Sequence, residues 1–126
     1  MTIQNEVVDS LKKFDDSTVE VVFKSDAVID IDQIKETYKS LSELTGKEKH
    51  KKLIITGKRT EITKEARLFG MEEAKRIGDF VKAEAIVVHS LYQKMVINFY
   101  RRFIDSKYPT RFFTDIDKAK EWLAKY

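Results

Sequence analysis

Apolar positions along this chain fall into two alternating kinds of segment. In one, apolar residues recur every three or four positions, the spacing that lines one face of a helix; in the other, β-branched residues run together without gaps. The first kind predicts helices over residues 31–44, 64–77, 91–104 and 115–126. The second predicts strands over residues 53–56, 85–88 and 111–113. Strand and helix in alternation predict an α/β fold, a single-domain mixed β-sheet packed by about four helices, with residues 1–126 as one domain. The runs Leu53-Ile54-Ile55-Thr56 and Ala85-Ile86-Val87-Val88 are apolar throughout. Strands covered on both faces of a parallel sheet read this way, so the two are expected as parallel near neighbours.

Start and stop signals sharpen the pattern. Residues 7–14 fit either a short helix or a strand, and Asp15-Asp16-Ser17 is a turn cluster. Val19, Val21 and Phe23 then alternate as one face of a strand. Asp30 with Gln33 forms a capping box, Ile34, Tyr38, Leu41 and Leu44 continue the stripe begun by Ile31, and Gly46 supplies the stop. The charged run at residues 46–52 reads as a solvated turn before the next strand. Thr63 is the expected N-cap of the second helix, with Glu65 at the positive end of its dipole and Ala66, Phe69, Gly70, Ala74 and Ile77 as its buried stripe. Ser90 with Gln93, and Thr114 with Asp117, are the expected caps of the last two helices.

Composition narrows the class without naming a function. A charge of +3 from 24 basic and 21 acidic residues lacks the clustered excess of a nucleic-acid binder, so no nucleic-acid partner is expected. With no cysteine there are no disulfides, thiolate nucleophiles or thiolate metal sites, as suits a reducing cytoplasm. The first residues lack a basic stretch followed by an apolar core, and no apolar run approaches the roughly 20 residues of a spanning helix. A cytoplasmic protein without a transmembrane segment is the expectation.

Two stretches carry a resemblance. Val19-Glu20-Val21-Val22-Phe23-Lys24 leads through Ala27-Val28-Ile29-Asp30 into a helix, and Pro109-Thr110-Arg111-Phe112-Phe113-Thr114-Asp115 leads to Ala119 and Trp122-Leu123. Together with the order of elements over almost the whole chain, they resemble SpoIIAA-like proteins, of the group that joins STAS domains with CRAL-TRIO lipid-binding domains. The resemblance implies a mixed sheet packed by helices and a non-enzymatic regulatory or protein-interaction module; its CRAL-TRIO side implies, as the alternative, a carrier or sensor of a small apolar, lipid-like ligand. Bacterial STAS domains of the anti-sigma-factor-antagonist type are switched by phosphorylation of a serine in an Asp-Ser-Ser-Gly-like turn before a helix. Here Thr63 falls at the aspartate, Lys64 at the acceptor serine and Ala66 at the glycine, so the switch motif is not intact. A one-residue shift is needed to make Thr63 a phosphosite, whereas a helix N-cap explains it directly.

Catalytic and metal chemistry find little footing. Ser90, His89 and Asp115 are the residue types of a hydrolytic triad gathered at strand ends, but neighbours on an extended chain point apart, which sets His89 badly for taking a proton from Ser90. His50 and His89 are the only histidines, without metal-ligand spacing, and Gly46, Gly57, Gly70 and Gly78 form no phosphate-cradling loop. No enzyme, cofactor or metal is expected. The helix expected over residues 91–104 is apolar on more than one side. Tyr92, Val96, Phe99 and Phe103 suffice to face a sheet, which leaves Met95, Ile97, Tyr100 and Ile104 as a candidate interaction surface for a protein partner, a second copy or an apolar ligand.

Overall fold

Two residues that read as part of a charged turn, Lys51 and Lys52, stand in the middle of the sheet. A computed structural model describes residues 2–89 and 107–126. Its elements are β1 (Val8–Asp15), β2 (Thr18–Phe23), β3 (Val28–Ile29), α1 (Ile31–Thr45), β4 (His50–Ile55), β5 (Glu61–Ile62), α2 (Lys64–Arg76), a 3-10 turn (Gly78–Phe80), β6 (Val81–Val87), β7 (Thr110–Phe113) and α3 (Ile116–Leu123). Five strands form one sheet in the order β1-β2-β4-β6-β7. β1 is antiparallel to β2, and every other pairing is parallel, so the sheet is mixed. The two apolar runs singled out from the sequence are direct parallel neighbours, with Leu53 opposite Ala85 and Ile55 opposite Val87. The ambiguous first segment is a strand, held by its pairing with β2 and by Ile3, which exchanges backbone hydrogen bonds with Leu11.

Alternation along the strands sends two sets of side chains to opposite faces. On one face Leu11, Val19, Val21 and Phe23 are buried with Ile34 and Leu41 of α1 and Ala66 of α2. On the other, Leu53, Ile55, Ala83, Ala85 and Val87 are buried against Ala119 and Leu123 of α3. The alanines of β6 let α3 approach closely, and each large aliphatic side chain buried contributes about 1.5–3 kcal/mol. α1 has the caps its sequence announced: the Asp30 carboxylate accepts from Gln33 N, and Gln33 Oε1 accepts from Asp30 N, both at 2.9 Å. Gly46 at its end has a left-handed φ of 59°, which explains a glycine there.

Three readings are corrected. β4 begins at His50 rather than Leu53, because tertiary partners let the three polar residues be buried: Leu123 O for Lys51 and the Tyr38 ring for Lys52, with Glu48 O beside His50. β6 begins at Val81, four residues ahead of the apolar run, and includes the buried Glu84. α3 is capped by Asp115, whose carboxylate accepts from Asp117 N at 2.8 Å and Lys118 N at 3.2 Å, rather than by Thr114, and it ends at Leu123. The expected helix over residues 91–104 lies outside the described residues, and with it Met95, Ile97, Tyr100 and Ile104.

Candidate functional site

Where parallel strands end and helices begin, loops gather, and the sites of open α/β folds are built there. Here the loop after β2 and the loop after β4 are interlocked. Asp26 N donates to Lys58 O at 2.8 Å, and Lys58 N donates to Ser25 Oγ at 3.1 Å. Thr60 Oγ1 donates to Lys24 O at 2.9 Å and accepts from Gly57 N at 2.8 Å. The short parallel pair β3–β5 continues the same seam, with Glu61 N donating to Ala27 O and Thr63 N to Ile29 O. Gly57 is required by the closeness of the two backbones. A Cβ at that position would lie 2.5 Å from Ser25 N and 2.7 Å from Ser25 Cα, inside any tolerable contact.

Two residues across this seam adopt the left-handed conformation without being glycine: Asp26, with φ 62°, and Arg59, with φ 57°. For a long side chain such as arginine that region is rarely occupied, and it persists only where surroundings enforce it. The interlocked backbone, with Asp26 N on Lys58 O and Gly57 N on Thr60 Oγ1, holds both residues there, and their side chains meet across it. Arg59 Nε and Nη2 donate to the two carboxylate oxygens of Asp26 as a two-toothed pair, the Nη2 bond at 3.0 Å. Hydrogen bonding from Arg59 holds the Asp26 carboxyl below the usual carboxylate range, and the same bond raises the Arg59 guanidinium. Both side chains are exposed, and Val28, two residues after Asp26 on β3, is 52% exposed.

The residues marked in the sequence distribute themselves around this rim. Thr63 is the N-cap of α2, its hydroxyl accepting from Ala66 N at 3.2 Å. His89 Nε2 lies 2.6 Å from Thr56 O, and since a carbonyl only accepts, Nε2 carries the proton and donates. That nitrogen is therefore no proton acceptor, and the Asp115 carboxylate is engaged in capping α3. Ser90 lies outside the described residues. Among the described residues, no three histidines, aspartates or glutamates come together as metal ligands, and no helix is long and apolar enough to cross a membrane. The Asp26–Arg59 pair escaped the sequence reading because 33 residues separate its members; Gly57, directly after an apolar run and Thr56, was the local signal of a close approach.

A second polar arrangement is buried in the sheet. Lys52, 1% exposed, stands opposite Glu84 across β4–β6, and Glu84 stands opposite Thr110 across β6–β7. The Lys52 ammonium lies 4.8 Å from the centre of the Tyr38 ring on α1. Burial pushes the Lys52 pKa down, and the charges of Glu84 and Glu73 pull against that shift. Among the described residues the buried Thr110 hydroxyl finds no hydrogen-bond partner. Lys51 points to the other face and donates to Leu123 O at 3.1 Å, a cation on the negative end of α3. At the amino ends of the parallel strands, Lys13, Asp16, Thr18, Val19, Thr45 and His50 line a cleft of about 10 Å³, room for one water and too small for an apolar ligand.

No protein of curated function matches this chain. Among solved structures it is similar to an uncharacterized protein of the DUF3478 family from Shewanella loihica PV-4, whose crystal structure has a SpoIIAA-like fold. The similarity covers 98% of each chain, with a TM-score of 0.67 and 16% sequence identity. At that identity the likeness establishes the fold, which is SpoIIAA-like, and carries no function with it. The sequence pattern of a domain of unknown function, DUF7793, matches residues 13–126. This α/β chain, with its mixed sheet and interlocked rim, therefore belongs to the DUF7793 family.

Proposed function

We propose that this domain is a non-enzymatic, cytoplasmic regulatory module that binds a protein partner through the rim at the carboxyl ends of its parallel strands, and that it is kin to the STAS and CRAL-TRIO group. The observation that carries the reading is the Asp26–Arg59 pair: two exposed, left-handed, non-glycine residues clamped to each other, with an exposed valine two residues after Asp26. Strain of this kind gathers at binding and switch sites, since an exposed loop under no other demand relaxes to ordinary backbone geometry. The backbone interlock and Gly57 make the rim rigid, which lowers the ordering cost of association. An arginine held flat by a carboxylate near an apolar side chain is suited to the centre of a protein interface. Thr63 serves this surface as a cap and not as a phosphoswitch, in keeping with the lysine that follows it where the switch motif has its acceptor.

Affinity capture from the source cell tests the reading when done with the unaltered protein and two variants, Val28→Glu and Asp26→Ala/Arg59→Ala. One protein retained by the unaltered domain and lost from both variants, with circular dichroism unchanged, is the expected result. Retention by both variants would remove the rim from the interface, and stoichiometric phosphate on Thr63 in cellular protein would restore the switch.

A further inference from the structure

Among the described residues, the second face of the sheet is only half covered. α3 packs over β4, β6 and β7, and among the described residues no helix lies over β1 and β2 on that side. Register identifies what is left open. Val22, which packs at the margin of the α3 core, stands opposite Ser10, and Glu20 stands opposite Lys12. Lys12 is exposed, while Glu20 and Val22 are partly so. Phe14, 46% exposed, closes one end of this strip, with the Lys120 ammonium of α3 4.8 Å from its ring centre. Ile116, one helical turn before Lys120 and 40% exposed, continues the α3 wall. The result is a trough with strands as its floor and α3 as one side.

We infer that this trough takes an acidic amphipathic helix of a protein partner. Its length follows from the β1–β2 pairing, some six residues or about 20 Å, which seats a helix of about 13 residues. A helix fits because a sheet face, unlike a sheet edge, has no free backbone groups to offer a strand. Phe14, Val22 and Ile116 supply the apolar contact. Charge sets the partner's sign: Lys12 and Lys120 border the strip, alternation past Val22 brings the exposed Lys24 to the same face, and Glu20 is the acidic residue on the floor between them. A second copy of this chain is disfavoured by the same arithmetic, since two-fold apposition would set lysines against lysines. The inference concerns a different face from the rim and stands whether or not the rim binds.

The test uses the whole protein, labelled with 15N, and two synthetic helical peptides of about 13 residues that share one leucine stripe, one flanked by glutamate and one by lysine. The glutamate peptide should shift the amides of Lys12, Phe14, Val22 and Lys120, and the lysine peptide should not. In Lys12→Glu/Lys120→Glu the glutamate peptide should bind at least about tenfold more weakly and the lysine peptide should gain, a reversal that mere apolar stickiness would not produce. Phe14→Ser, which leaves charge alone, should weaken the glutamate peptide as well. The inference fails if neither peptide shifts these amides, if both shift them equally, or if the shifts map elsewhere. It fails too if the same amides move on dilution without peptide, which would make the occupant a second copy. Stronger, variant-sensitive binding to phosphatidylglycerol vesicles than to the glutamate peptide would overturn it in favour of a lipid surface.

Discussion

Lys52 shows what one residue can mean in two contexts. Beside Lys51 and His50 it reads as surface charge, yet its side chain is buried between the sheet and α1, against Tyr38 and next to Glu84. Removing a cation from water costs several kcal/mol, and a neighbouring carboxylate recovers that cost only while both partners remain. Lys52→Met should therefore destabilise the protein by about 3–5 kcal/mol, because it removes one side of a buried pair of opposite charges. Lys52→Met/Glu84→Gln should regain most of that loss. Urea unfolding of the two variants, with unchanged slopes, provides the measurement; a double variant as weak as the single one would show that the pair is not the unit that matters.

At the scale of the element, helix starts are the features most completely written in the sequence. Asp30 and Thr63 were identified as caps from residue type and spacing, and both bond as expected to the third residue of their helix. The interaction is local, so four consecutive residues contain all its information. Thr63→Ala should cost about 0.5–2 kcal/mol and Thr63→Ser very little, as measured by thermal unfolding. Equal losses for both would mean that the threonine methyl, and not its hydroxyl, is what α2 requires. At α3 the same logic chose Thr114, one residue early, because Thr114 and Asp115 are both good caps and only the path of the chain leaving β7 decides between them.

At the scale of the whole molecule, pH acts through His50, where the connection from α1 enters the central strand. Burial lowers the His50 pKa, while its Nδ1–H bond to Glu48 O at 3.0 Å works the other way. With the folded value below the unfolded value near 6.5, the unfolded chain binds more protons between the two. Stability should thus be complete above pH 6.5 and fall as pH drops through the lowered folded value. Denaturant midpoints from pH 7.5 to 5 should show this slope, and His50→Gln should flatten it. A slope unchanged by that substitution would place the titrating group elsewhere.

The class of the fold, the mixed character of its segments, the start of α1 and α2 and the adjacency of the two apolar strands are all legible in the residues alone. These are written in periodicity, in caps and in runs of β-branched residues, signals that act within a few residues of each other. That charged residues extend β4 and β6 follows from tertiary contacts, since the partners that make their burial tolerable stand across the sheet or on α1 and α3. The rim is of the same kind. Asp26 and Arg59 are ordinary polar loop residues until two chain segments, 33 residues apart, are interlocked by backbone hydrogen bonds that hold both in a left-handed conformation and set their side chains against each other.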